Sequence, residues 1–382
     1  MPRSGLAELP LHGGKAPPWL FRRMQGLSKA IVEVILDQYG VDQLFARLAD
    51  PYWFQAFGCV LGYDWHSSGV TTVVTGVLKS VLSPQEHGVA VAGGKGRAST
   101  KAPGEIKLLA EEFGLSEEKS RSLIYSSRMS AKVDNTAIQA GYPLYHHAFF
   151  LRKDGEWLVI QQGMNTADRV ARRYHWHSNH LKSYVVEPHD AIVGDKFHER
   201  VLDMTARDSD AARRTSVDLI NDGPERLRRM ISQAPTNQAT LTSWIGDGYE
   251  DLRMPWRIDW KALKKAYETQ PRNYEELLAV KGVGPAAVRG LALVSETVYG
   301  EKPSWRDPVR YSFAYGGKDG VPFPVNRRAM DQSIQFLHQA LEDAKVGDRN
   351  RLHAFKRLSS FVSSGDEQTE DQDAARLNHG NP

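Results

Sequence analysis

The chain is poor in cysteine and has no long apolar run. Of its 382 residues only Cys59 is a cysteine. A single thiol excludes an intrachain disulfide and any zinc site assembled from several cysteines. It stands in Trp53-Phe54-Gln55-Ala56-Phe57-Gly58-Cys59-Val60-Leu61, where a small thiol among apolar neighbours is a packing group rather than a nucleophile. No stretch reaches the roughly 18 apolar residues that a membrane helix needs. The start, Met1-Pro2-Arg3-Ser4-Gly5, lacks the apolar core of a secretory signal, so a cytoplasmic protein with no membrane partner is expected. The phosphate-loop spacing Gly-x-x-x-x-Gly-Lys-Ser/Thr, the Gly-x-Ser-x-Gly nucleophile elbow and internal repeats are all missing. Excess charge is small, +3 with an isoelectric point near 8.7, which permits nucleic-acid binding without demanding it.

What the chain does have is a change of hydrophobic period. Residues 18 to 50 repeat apolar positions at helical spacing, through Leu20, Met24, Leu27, Ile31, Val34 and Ile35. Residues 83 to 104, rich in Gly, Ser, Lys and Pro, read as loop, with helices expected over about 104–113 and 116–130. Leu144 to Arg152 and Glu156 to Gln162 are short apolar runs joined by Lys153-Asp154-Gly155, a strong β-hairpin signal. Ser183 to Glu187 is a further strand candidate. From about residue 196 the pattern is helical. The expected fold is therefore α+β: a mixed domain with a small antiparallel sheet over 1–195, a helical domain over 196–362, and a disordered acidic tail over 363–382.

Leu277-Leu278-Ala279-Val280-Lys281-Gly282-Val283-Gly284-Pro285 predicts two helices joined by a tight turn. Gly282 and Gly284 leave no side chain between backbone and ligand, and Pro285 suits a first helical turn. The free N–H groups at that helix start suit a phosphate oxygen. Lys281, Val283 and Arg289 complete this element. Lys95 in Gly93-Gly94-Lys95-Gly96, with Arg310 and Lys318 after the turn, extends the basic footprint. An ordinary helix–turn–helix without ligand, and solvated surface arginines, are the bland alternatives.

Seven of the thirteen histidines fall between positions 146 and 198. His146 and His147 must point to opposite faces of their strand, as must Gln161 and Gln162 on the partner strand, so the hairpin brings one His and one Gln together at its open end. Asp134 lies on the approach to this sheet. Carboxylate, imidazole and amide at one sheet end suit a divalent metal (Mg or Mn) or a positioned water. The candidate metal ligands are Asp64, Asp134, His147, His175 and His177. The candidate catalytic groups are Asp64, His66, Asp134, His147, Gln161 and His175.

Several strings resemble a prokaryotic family known only by a domain-of-unknown-function label: Asp64-Trp65-His66-Ser67-Ser68-Gly69, Ala92-Gly93-Gly94-Lys95-Gly96, Tyr145-His146-His147, Gln161-Gln162-Gly163-Met164-Asn165 and Arg172-Arg173-Tyr174-His175-Trp176. The likeness runs over about residues 1–345 and implies no chemistry. Residues 200–320 also resemble the helix-hairpin-helix DNA glycosylases. That resemblance implies a catalytic Asp about twenty residues after the hairpin, where this chain has Asp307. It argues against a lyase, because Ala286 stands where lyase members carry Lys. Asp307 before Pro308 equally suits a helix cap. The expectations are thus a metal-dependent nuclease acting on DNA, with RNA not excluded, a monofunctional glycosylase using Asp307, or a DNA-binding adaptor without catalysis.

Overall fold

The computed structural model describes residues 18–62, 69–167, 170–194, 196–233, 255, 257–309, 327–344 and 347–358. Asp64, His66, Arg310, Lys318 and the acidic tail lie outside the described residues.

The expected α+β architecture is present. A five-stranded antiparallel sheet has the order β1-β3-β4-β5-β6, from β1 (Val89–Lys95), β3 (Leu144–Arg152), β4 (Trp157–Asn165), β5 (Val170–His177) and β6 (Ala191–Gly194). The β3–β4 hairpin turns at Gly155, whose φ of 84° is the left-handed conformation that Asp-Gly supplies. A two-stranded sheet pairs β2 (Ile138–Gln139) with β7 (Leu202–Asp203).

Both faces of the large sheet are covered, so its strands are apolar on both sides. One face carries Val91, Ala148, Phe150, Leu158 and Ile160 against α1 (Pro18–Ala49), α2 (Pro51–Leu61) and α3 (Gly69–Val81). Every residue of α2 is buried, as a helix apolar all round must be. Asp50 caps it, its carboxylate accepting from the Tyr52 and Trp53 N–H groups. We call this the α3 face.

The opposite, α6 face carries Ala92, Phe149, Leu151, Val159, Tyr174 and Trp176. Over it lie α5 (Ala102–Glu112) and α6 (Glu117–Thr136), a short α4 (Pro84–His87) having entered β1. The core continues without a break into α7 (Asp210–Asn221), α8 (Pro224–Gln233), α9 (Trp260–Thr269), α10 (Tyr274–Ala279) and α11 (Pro285–Tyr299).

Two expectations are corrected. Residues 83–104 are not a loop: they hold α4, strand β1 and a 3-10 turn over Gly96–Lys101. Ser183–Glu187 is not a strand, because Glu187 takes φ 43° ahead of Pro188 and breaks the extended run. The last helices also reach the far side of the sheet. α12 (Arg327–Asp343) and the helical residues 348–358 return to the α3 face, where Leu337, Leu341, Ala354 and Leu358 join the core of α1 and α2.

Candidate functional site

Asp134, His146, His147, Gln161 and Gln162 meet at one end of the sheet, divided between its two faces. Strand register dictates the division. His147 pairs with Gln161, and Gln161 with Tyr174, on the α6 face; His146 pairs with Gln162, and Gln162 with Arg173, on the α3 face.

On the α6 face a buried chain of hydrogen bonds runs from helix to strand. Ser127, Ser130 and Asp134 lie at spacings of three and four on one stripe of α6, aimed at the sheet. Gln161 Nε2 donates to the Ser130 carbonyl and to the Asp134 carboxylate. That fixes its amide, so Oε1 accepts from His147 Nδ1 at 2.7 Å. His147 Nε2 is then left to accept from the Ser127 hydroxyl at 2.9 Å. Asp134 further accepts from Trp176 Nε1 at 3.0 Å and from His189 Nε2 at 2.5 Å. Burial pushes the His147 imidazole below its ordinary pKa, so it is held neutral.

Asp134, His147 and Gln161 are therefore brought together as expected. Their side chains are almost completely covered, and the carboxylate oxygens are occupied by Trp176, Gln161 and His189. His175 and His177 stand on the other face and do not join them. His175 Nδ1 donates to the Leu48 carbonyl at 3.1 Å, and burial with Arg173 nearby holds its pKa well down. His177 lies 3.2 Å from Glu156, towards the β3–β4 turn. The four described members of the metal set, Asp134, His147, His175 and His177, are thus divided between the two faces of the sheet. Among the described residues no three metal-binding side chains converge.

The α3 face holds the other half of the polar end. Thr71 donates to the Gln162 Oε1, and Gln162 Nε2 donates to the Tyr145 hydroxyl at 2.5 Å. Thr75 gives its hydroxyl proton to the Thr71 carbonyl, so it accepts from His146 Nε2 at 2.9 Å. His146 Nδ1 is left buried without a partner, and burial lowers the imidazole pKa to about 3. Arg173 Nη1 donates to Gln55 Oε1 at 3.1 Å, with the guanidinium 4.7 Å over the Phe54 ring. Lys95, exposed at the end of β1, reaches over Tyr145 at 5.9 Å. Gly93 is required here: a Cβ would lie 2.2 Å from the His147 carbonyl oxygen. Sequence reasoning missed Thr75, Ser127 and Ser130. The i, i+4 and i, i+3 polar pairs on otherwise apolar helix stripes were the available signal.

Asp307 is covered as well. Its Oδ2 accepts from Arg172 Nη2 at 2.7 Å and from the His198 N–H at 3.0 Å, and its Oδ1 accepts from the Val309 N–H. Both side chains of the Arg172–Asp307 pair are fully buried, and Arg172 stacks on Tyr142.

The predicted turn after α10 is formed. Gly282 takes φ 97°, Val283 is buried, and Gly284 is the N-cap residue of α11 with no side-chain cap. Lys281 and Gly282 are exposed. The N–H groups of Ala286 and Ala287 have no carbonyl within the helix. The turn is seated on α6 and β2: Lys132 Nζ donates to the Val280 carbonyl, Gln139 Nε2 on β2 to the Pro285 carbonyl, and Tyr125 to Glu275 on α10. Arg289 reaches Gln139 at 3.4 Å.

A family described as protein of unknown function, DUF763, matches residues 5–325. The chain belongs to that family. Its match takes in the whole sheet, both polar faces and the turn after α10, so these belong to the family's shared region. No curated protein and no solved structure matches.

Proposed function

We propose that this protein is a nucleic-acid-processing enzyme that holds the sugar-phosphate backbone in the 280–284 turn and hydrolyses phosphodiester bonds at the polar end of the sheet. The observation that carries the reading is the turn over 281–284, with Lys281 and Gly282 exposed at an uncapped helix start and α6 bracing it from behind. Free N–H groups, the helix dipole and Lys281 together favour an anion, and contacts of this kind carry no base code. DNA is the first partner to test, with RNA sharing the same backbone chemistry.

Phosphodiester hydrolysis needs cationic and hydrogen-bonding groups around a pentavalent, strongly anionic transition state. Lys95 and Tyr145 present that kind of group at the sheet end, with Arg173 and Thr71 buried behind them. The described side chains do not form a fitting Mg or Mn site, because Asp134 is already saturated by three donors and its imidazole neighbour serves Gln161. The hydrolytic reading therefore does not depend on a metal held by them. A glycosylase would need the Asp307 carboxylate facing a flipped base, whereas its oxygens serve Arg172 and two backbone N–H groups.

End-labelled single- and double-stranded DNA, incubated with Mg²⁺, with Mn²⁺ and with EDTA and run with and without hot alkali, tests the reading. Breaks without alkali are expected, lost in Lys95→Ala. Breaks seen only after alkali would replace it with base excision, and binding without any break would leave an adaptor.

A further inference from the structure

The first two turns of α1 present a stripe that the sheet-end chemistry does not use. Met24, Leu27 and Ile31 face the core, while Trp19, Arg22, Arg23 and Gly26 recur at three- and four-residue spacing on the outer side. Trp19, 54% exposed, is the most exposed aromatic side chain among the described residues. Arg23 lies 5.4 Å from the centre of its ring. Across from this stripe stand Gly347 and Asn350, and the cleft between them has a volume of about 520 Å³. Gly26 and Gly347 are part of its lining, and a Cβ built on either would meet nothing within 4 Å. Neither Arg22 nor Arg23 pairs with a carboxylate among the described residues.

An exposed indole beside two guanidinium groups that no described carboxylate pairs, in a cleft lined in part by glycine, has the chemistry of a seat for an unpaired base and its flanking phosphates. A cleft of this size holds one or two nucleotides but no duplex. We propose that the Trp19–Arg22–Arg23 cleft binds single-stranded nucleic acid, with Trp19 stacking on a base and the arginines taking phosphates. The choice of ligand rests on the nucleic-acid reading above, but the site does not: it lies on the α3 face, across the sheet from the 280–284 turn.

Fluorescence anisotropy of labelled (dT)12, titrated with full-length protein over a range of salt, tests the cleft. Trp19→Ala is expected to weaken binding about tenfold, the loss of one stacked base. Arg22→Ala with Arg23→Ala is expected to flatten the slope of log K against log salt by about 1.4, at about 0.7 per single-strand phosphate. Gly26→Leu fills the cleft without removing a charge, improves helix propensity, and is expected to block (dT)12 as strongly as Trp19→Ala. A blunt duplex serves as the control: Gly284→Val weakens duplex and spares (dT)12, and the cleft variants do the reverse. Wild-type protein that does not bind (dT)12, or variants that bind it unchanged, overturn the cleft. Wild-type protein that binds (dT)12 but no duplex overturns the turn and leaves the cleft standing.

Discussion

Arg172 and Asp307 show how a residue expected to do chemistry can be committed to the fold. They sit 135 residues apart in sequence and 2.7 Å apart in space, fully covered. Removing one partner leaves a buried charge unpaired, which costs about 3–5 kcal/mol. Arg172→Met should therefore lower the melting temperature by many degrees, and Asp307→Asn should do much the same. A thermal melt that leaves Asp307→Asn at wild-type stability, with activity gone, would return that residue to catalysis.

The buried histidines give a second prediction at this scale. His146 is held neutral, its pKa lowered from 6.5 to about 3, and His147 and His175 are lowered in the same direction by burial. The unfolded chain takes up these protons first as pH falls below 6.5. Each such histidine therefore removes stability at about 1.4 kcal/mol per pH unit until the folded form titrates too. Stability should be full above pH 6.5 and fall steadily towards pH 3, earlier than carboxylate titration alone would allow. Thermal melts across this range check it, and His146→Asn should flatten the slope. The opposite facing of His146 and His147 was legible from sequence, since it follows from strand alternation. Their partners Thr75 and Ser127 were not, because they arrive from helices 71 and 20 residues away.

At the scale of elements, the two glycines of the α10–α11 turn separate. A Cβ on Gly282 would come within 2.7 Å of the Ala262 Cβ on α9, at a φ that side chains avoid. Gly284 has ordinary φ and open space, its nearest atom the Gly282 carbonyl oxygen at 3.8 Å. Gly282→Val should thus destabilise the fold. Gly284→Val should fold normally and weaken duplex binding by blocking approach to the Ala286 and Ala287 N–H groups. Circular-dichroism melts and gel shifts on both variants distinguish the effects; equal stability of the two would refute the packing assignment. The sequence pattern identified this turn and the β3–β4 hairpin because each is set by residues a few positions apart. It misread β1 because Gly93, Gly94 and Lys95 have loop composition, although β1 pairs along its whole length with β3. It misread 183–187 because Tyr-Val-Val favours extended chain, while the Tyr184 hydroxyl is tied to Ser126 on α6.

For the whole molecule, the division at residue 195 separates two compositions but not two cores. Phe149, Val159 and Trp176 share one apolar cluster with Leu277, Val288 and Leu291, and Leu337 and Leu358 close over α1 and α2. A fragment ending at 195 would expose both surfaces. It is expected to be insoluble or protease-sensitive when expressed alone, while the 1–362 chain is resistant. A folded, cooperative 1–195 fragment would restore the two-domain division. Sequence could not show this, since helices 327–343 and 348–358 are as amphipathic as any surface helix and nothing local names their partner.

One helix faces both halves of the problem. The inner stripe of α6 holds Gln161 and His147 through Ser127, Ser130 and Asp134, while Lys132, close to Asp134 in its last turns, grips the turn that presents Lys281. A backbone held at that turn, as proposed, would lie at an offset from the sheet that α6 sets. The spacing works as a ruler: any cut made at the sheet end should fall a constant number of nucleotides from the gripped phosphate, whatever the sequence.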